Sequence, residues 1–204
     1  MRQNRFRGRE LLPEGNLHIA AQIESRLVEE SSGLYVVFEN NEIVWPRLPH
    51  VEPFTVARHD FDREGPEDGM PQEVVARLLE SGWERLVWMP VEVAHGDLMQ
   101  FTIRYAHELQ HYRQLLGEES LSKVRNFLSK IRREGFAPTI KTEKDPVEFD
   151  ADVVAFNIFE AIHGRVALQN YIESESADSV MRNFFYHVLP LRERFKAEYP
   201  SENI

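Results

Sequence analysis

Residues 97–117, DLMQFTIRYAHELQHYRQLLG, contain the clearest helical pattern in the chain. Their apolar residues recur at three- and four-residue spacing: Leu98, Phe101, Tyr105, Leu109, Tyr112 and Leu116. At about 100° per residue these side chains form one stripe, which predicts an amphipathic helix packed on a core. His107 and His111 lie on roughly the opposite side, so this pattern does not place them in the core.

The two histidines enclose an H-E-x-x-H motif, His107-Glu108-Leu109-Gln110-His111. One helical turn brings the two imidazoles within reach of a single metal ion, because residues four apart are about 5–6 Å apart at Cβ. Glu108, one step round the helix, then lies beside the ion and can accept a proton from bound water. The alternative interpretation is a solvated polar face, on which His, Glu and Gln are ordinary.

A catalytic zinc usually has three protein ligands, so another residue must complete the set. The strongest candidate stretch is DPVEFDADVVAF at 145–156, in which Glu148 and Asp152 share a helical face. Its apolar continuation predicts a buried helix, in which Asp152 needs a partner such as the N–H of a ligand histidine. Asp150 is expected to be solvated. Asp145 and Pro146 equally predict a helix start, where Glu148 would serve only in a capping box.

HELQH at 107–111 followed by EFDAD at 148–152 resembles the minimal gluzincin metallopeptidases. In those families a helical H-E-x-x-H is followed by a second helix carrying E-x-x-A-D or a close variant. The resemblance implies one Zn²⁺ per chain, held by His107, His111 and Glu148. It also implies that Glu108 is the general base, that Asp152 supports a ligand histidine, and that the sheet edge holds an extended protein or peptide substrate.

A gluzincin usually also has a Tyr or His that stabilises the oxyanion, and no motif identifies it here. The possible residues are His163, Tyr171, Tyr186 and His187. Peptide hydrolysis is therefore the predicted function, but the sequence does not identify the residue that stabilises the oxyanion.

The fold class predicted is α+β and zincin-like, as a single domain over 13–204. Its part at 13–95 mixes helices with a small sheet, and its part at 96–204 is helical and carries the metal site. Several local features are predicted in the first part. They are a helix ending at Gly33, a hairpin around Asn40 and Asn41, a strand FTVA at 54–57, and a polar loop at 60–71.

A strand is also predicted at 84–93, leading directly into the motif helix. Residues 1–12 contain four arginines and are predicted to be a flexible basic terminus, with a possible role in contacting a regulatory partner.

The formal net charge of −10 disfavours nucleic-acid binding by the body of the domain, because phosphate contacts need clustered Lys and Arg. The chain has no cysteine, so thiolate metal sites are excluded. No apolar run approaches 18 residues and no signal-peptide pattern begins the chain, so membrane association is not expected. Cytoplasmic localisation is the expectation, with export by a non-Sec route still open.

Two other functions stay open at this point. Glu108 with His111 and Glu160 with His163 form two E-x-x-H pairs, the pattern of ferritin-like di-iron carboxylate proteins. Against this, the second pair abuts Gly164 at a helix end, and the first part of the chain is rich in strands. The other possibility is a zincin fold without catalytic activity that binds or regulates a partner.

Overall fold

The structure is a computed structural model of the 204-residue chain. It describes residues 4–30, 32–40, 52–64, 72–117, 119–135, 145–174 and 179–200. The chain divides into two compact units, residues 1–115 and 116–204, which are described separately. The single domain predicted over 13–204 stays a prediction.

Within the described residues, the first unit contains a mixed four-stranded sheet whose strands, numbered along the chain, lie in the order β1-β2-β4-β3. Its strands are β1 (Arg5–Arg7), β2 (Leu34–Glu39), β3 (Phe54–Ala57) and β4 (Arg85–Pro90). Its helices are α1 (Glu14–Leu27), α2 (Arg58–Glu64), α3 (Gln72–Glu80), α4 (Val91–Ala94) and α5 (Leu98–Gln114). Strands β1, β2 and β4 are parallel, and β3 pairs with β4 in the antiparallel sense. The predicted α+β class is confirmed.

Helices cover both faces of this sheet, which explains why all six residues of β2 are buried. On one face, Phe61 of α2 and Leu78 of α3 belong to the same apolar cluster as Trp88 of β4. On the other face, the rings of Phe38 in β2 and Tyr105 in α5 lie 5.6 Å apart. The sheet therefore positions α5, the helix that carries the H-E-x-x-H motif.

The flexible terminus predicted over 1–12 is wrong for residues 5–11, which form β1 and a turn of 3₁₀ helix. Two of its arginines bind buried carboxylates of the same unit. Arg7 lies 3.0 Å from Glu39, and Arg9 forms an ion pair with Glu24. Because a buried carboxylate needs a compensating charge, these arginines have internal partners that composition alone does not reveal.

Three local predictions also change. The first helix ends at Leu27 rather than near Gly33, because Val28 is already extended with φ −100° and ψ 120°. Part of the loop predicted at 60–71 is helix α2, in which Phe61 packs edge-on against Trp83 with ring centroids 5.6 Å apart. The short helix α4 separates β4 from α5, so the strand does not lead directly into the motif helix.

The predicted strand at 54–57 is confirmed as β3. The first run of the predicted hairpin is β2, which pairs in parallel with β1 and β4. The turn at Asn41 and the second run of the hairpin lie outside the described residues.

The hydroxyl of Tyr105 connects α5 to α1 inside the first unit. Tyr105 has no solvent exposure, and its hydroxyl donates a hydrogen bond to Glu24 Oε1 at 2.6 Å. Burial raises the pKa of this phenol above its ordinary value, and the nearby charge of Arg9 opposes that shift only in part. The phenol therefore stays neutral in the folded state at pH values where a free tyrosine ionises.

This raised pKa predicts a loss of stability at alkaline pH. Unfolded Tyr105 ionises at about pH 10 while the folded form keeps its proton, so the free energy of unfolding should fall as pH rises further. Urea unfolding of the wild type and of Tyr105→Phe, followed between about pH 9 and 11, measures this effect. The decline should be smaller in Tyr105→Phe, and Tyr199→Phe is the control at a half-buried tyrosine. Equal declines in wild type and Tyr105→Phe would contradict the prediction.

The second unit consists of helices as far as it is described. They are α6 (Glu119–Arg133), α7 (Pro146–His163), α8 (Arg165–Glu173) and α9 (Ser179–Glu198). A core cluster joins α6, α7 and α9: Val124, Phe127, Leu128, Ile131, Phe149, Val153, Leu191 and Phe195. As predicted, α7 begins after Asp145, whose carboxylate accepts the Val147 N–H at 2.9 Å, and ends at Gly164, where φ is +86°.

Candidate metal centre

Helix α5 has the orientation that its apolar stripe predicts. Asp97 caps its start by accepting the Met99 N–H at 2.6 Å. Phe101, Tyr105, Leu109 and Tyr112 of the stripe are fully buried. Burial of this stripe leaves His107 and His111 on another side of the helix, where both are half-buried.

The two imidazoles lie against each other. Their Nε2 atoms are 2.9 Å apart, and their ring centroids are 4.5 Å apart. Two nitrogens bound to one tetrahedral zinc at about 2.0–2.1 Å would be about 3.3 Å apart, so the observed pair is close to ligand spacing. The motif spacing therefore brings the two histidines together as predicted.

Gln114, on the next turn of α5, holds the ring of His111. Its Oε1 lies 2.8 Å from His111 Nδ1. An amide oxygen can only accept, so Nδ1 carries the proton and Nε2 keeps its lone pair towards His107. The sequence places Gln114 on the histidine side of the helix, but its spacing alone gives no reason to assign it this role.

Glu108 is 7% exposed, which is unusual for a carboxylate. The Thr55 hydroxyl lies 2.8 Å from Glu108 Oε2 and 2.9 Å from the Glu108 carbonyl oxygen. Thr55 is on β3, one of the two edge strands among the described strands, and pairs opposite Val87 of β4. Its hydroxyl therefore fixes one oxygen of the carboxylate. No sequence signal points to Thr55, because 53 residues separate it from Glu108.

The carboxylate candidates are all on α7. Glu148 is in the first turn of α7 and is half-buried. One ligand atom each of His107, His111 and Glu148 lies within 4.8 Å of the others. Asp152 is buried, as its apolar neighbours predict. Asp150 is buried as well, so the prediction of a solvated Asp150 is wrong.

Asp150 is buried because α7 is apolar on nearly every side. Its neighbours Phe149, Ala151, Val153 and Val154 are all buried, and Asp150 has interaction partners within the protein. A carboxylate on a helix buried all round cannot be assigned to solvent from its angular position alone.

The second E-x-x-H pair has a different environment. Arg192, 1% exposed, forms an ion pair with Glu160 and donates to Asn157 Oδ1 at 2.9 Å. Lys196 Nζ lies 3.5 Å from Glu160. Burial acts to raise the pKa of Glu160, but hydrogen bonds and charges from Arg192 and Lys196 outweigh it and hold the pKa below its ordinary value. Two cations therefore already neutralise this carboxylate.

Two of the four oxyanion candidates have described side chains. His163 packs on Phe159 with ring centroids 4.8 Å apart, and Tyr171 is buried with its ring 6.1 Å from Phe159. The side chains of Tyr186 and His187 lie outside the described part of α9. None of these contacts assigns the oxyanion role.

No family model, no curated protein and no solved structure matches this chain. Within the described residues, no helix combines the length and apolar content that crossing a membrane requires.

Proposed function

We propose that this chain is a zinc-dependent metallopeptidase with a zincin-like active site. The observation that carries the proposal is the convergence of His107, His111 and Glu148 within 4.8 Å. Two imidazoles and one carboxylate form a donor set typical of catalytic zinc, with a fourth position open for water. The burial of Glu108 directly after the first histidine adds a general base to that donor set.

The proposed reaction divides the chemistry between the metal and the chain. Zinc, when bound, lowers the pKa of water and polarises the substrate carbonyl. Glu108 accepts the proton from that water and returns it to the leaving amine. The Thr55 hydroxyl keeps the Glu108 carboxylate in one orientation, and Gln114 does the same for the His111 ring. Asp152 as a support for a ligand histidine stays a prediction.

Strand β3 is the proposed position for an extended peptide. It is antiparallel to β4 and forms an edge among the described strands, and its Thr55 contacts Glu108. A peptide that adds to such an edge satisfies its backbone hydrogen bonds there while its carbonyl approaches the metal. This arrangement supports the zincin-like assignment.

The di-iron alternative is weaker. A ferritin-like site needs Glu160 as a metal ligand, and this carboxylate instead binds the guanidinium of Arg192 and the ammonium of Lys196. A second cation site at Glu160 would require both pairs to break. The catalytically silent zincin fold differs from the proposal only in activity, which makes Glu108 the residue that discriminates between them.

Metal content is the first test of the proposed site. Glu148→Gln removes a charged ligand, so we expect zinc affinity to fall by at least about 100-fold, since weaker changes outside the ligand set already cost 10–100-fold. Competition against a chelator, with anomalous scattering at the zinc edge, measures affinity and ligands together. His163→Ala is the matched control on the same helix and should keep one zinc per chain.

The opposite pattern would overturn this assignment. Loss of metal in His163→Ala, or two irons per chain, would favour the di-iron alternative. Unchanged zinc affinity in Glu148→Gln would leave Glu148 as a capping residue only.

A further inference from the structure

Arg104 lies on the same side of α5 as the proposed zinc ligands. It precedes His107 by three residues and Glu108 by four, and residues at these spacings are neighbours on a helix surface. One turn separates it from Glu108, a distance of about 6 Å along the helix axis. Arg104 therefore lies one helical turn before the place where the proposed scissile peptide bond would react.

The partner of Arg104 in the structure is an exposed carboxylate. Nη1 of Arg104 forms an ion pair with Oε2 of Glu52. The Arg104 side chain is only 26% exposed, whereas that of Glu52 is 73% exposed. A carboxylate held through one oxygen and largely in solvent is weakly bound, because such pairs contribute about 0–1 kcal/mol. Another carboxylate can replace it at little cost.

The guanidinium of Arg104 has a further hydrogen-bond donor, its Nε–H. This atom is buried, and no acceptor within the described part of the chain binds it. Arginine binds carboxylates most strongly through two parallel hydrogen bonds, which the single contact with Glu52 does not provide. The side chain is thus able to make a stronger contact than the one it has.

The segment from Glu52 to Thr55 runs beside this turn of α5. Thr55 contacts Glu108, and Glu52, three residues earlier, contacts Arg104. Two residues of an extended peptide span about 6.7 Å and point their side chains to the same side. A peptide whose scissile bond lies at Glu108 therefore places a side chain two residues away within reach of Arg104.

We infer that Arg104 selects substrates with an acidic side chain about two residues from the scissile bond, and that Glu52 occupies this subsite when no substrate is bound. This inference rests on the proposed peptidase function, since it locates the scissile bond at Glu108. The chain as a whole carries a net charge of −10, so its overall field repels acidic peptides. Selectivity for them must come from this local contact.

Binding to zinc-loaded Glu108→Gln protein tests the inference without turnover. The probes are two pools of fluorescent decapeptides, random in neutral residues, with either Glu or Gln at the central position. We expect the Glu pool to bind about tenfold more tightly than the Gln pool, because one charge-assisted hydrogen bond contributes about this much. Adding Arg104→Gln should bring that ratio to about one. Adding Glu52→Gln should raise the affinity for the Glu pool, because the internal competitor is gone.

Arg113→Gln is the matched control, because the same change on the opposite side of α5 should preserve the ratio. A purely structural role for Arg104 would affect both pools equally, and the ratio removes that effect. Raising the salt concentration to about 1 M should also reduce the ratio, since the Debye length falls to about 3 Å. A ratio near one in the parent protein, failure of both pools to bind, or an unchanged ratio in Arg104→Gln would overturn the inference.

Hydrolysis of the same pools by wild-type protein separates the two proposals. Cleavage that depends on Glu108 but shows no acidic preference would refute only the Arg104 subsite. Acid-selective binding without any cleavage would refute only the peptidase function.

Discussion

Replacing Glu108 with glutamine is expected to abolish peptide hydrolysis while one zinc per chain stays bound. Glutamine keeps the size of the side chain and can still accept the Thr55 hydroxyl through its amide oxygen. It cannot take a proton from water, so the loss should reach about 10²–10⁴-fold in kcat, the range for a general base. This variant keeps His107, His111 and Glu148, so its zinc affinity should stay unchanged although its activity is lost.

The measurement uses zinc-loaded wild type and Glu108→Gln on one proteome-derived peptide mixture, with cleavage sites read by mass spectrometry. Glu80→Gln provides the matched control, because Glu80 is exposed at the end of α3 and should keep full activity. Full activity in Glu108→Gln would refute the proposed mechanism. Absence of cleavage in wild type with one zinc bound would identify a zincin fold used for binding. Loss of zinc in Glu108→Gln would make Glu108 a ligand instead of a base.

Replacing Arg192 with methionine is expected to destabilise the second unit by about 3 kcal/mol, at the lower end of the range for breaking a buried ion pair. The Arg192 side chain is 1% exposed, and its replacement removes the guanidinium that donates to the oxygens of Glu160 and Asn157. The lower end applies because the Glu160 side chain is 18% exposed and Lys196 remains near it. The methionine fills much of the volume, so lost packing contributes less than the uncompensated charge.

Urea unfolding followed by far-ultraviolet circular dichroism suits this measurement, because residues 116–204 contain no tryptophan. Arg165→Met is the control, since the Arg165 side chain is 77% exposed and its change should cost less than about 0.5 kcal/mol. Adding Glu160→Gln to Arg192→Met should restore part of the loss, because it removes the charge left behind. Equal effects of Arg192→Met and Arg165→Met would contradict a buried ion pair.

The same pair predicts a pH dependence with a definite sign. The pKa of Glu160 is held below its ordinary value, so the folded state releases this proton more readily than the unfolded state. Its contribution to stability is present above the unfolded pKa and is lost as pH falls through the lowered folded pKa. The difference in stability between wild type and Arg192→Met should therefore shrink in acid.

Local periodicity was sufficient to predict the orientation of α5 and the burial of Asp152. The apolar stripe through Phe101 and Tyr105 repeats within a few turns, so the core-facing side follows from the residues themselves. Asp150 shows the limit of this reasoning. On a helix that is apolar nearly all round, angular position does not distinguish a buried carboxylate from a solvated one, and the interaction partners of Asp150 are not visible in the pattern.

Sequence periodicity could not predict contacts between residues that are distant along the chain. From the sequence alone, Arg7 and Arg9 belong to a basic terminus. In the structure β1 pairs with β2, Arg7 forms an ion pair with Glu39, and Arg9 forms one with Glu24. Likewise, nothing in FTVA at 54–57 beyond its strand propensity indicates that Thr55 contacts Glu108. Both cases depend on how distant strands and helices pack together, which leaves no short-range signal in the sequence.

By itself, the sequence determined that two histidines and a glutamate share one turn of an amphipathic helix, because 3.6 residues per turn dictate which side chains are neighbours. It also determined the start and end of the helix that carries Glu148, through Asp145, Pro146 and Gly164. Only the tertiary structure decided three contacts. Thr55 donates to Glu108, Glu52 forms an ion pair with Arg104, and Arg192 forms an ion pair with Glu160. These contacts join residues 32 to 53 positions apart, and only burial and charge compensation in the packed chain select them.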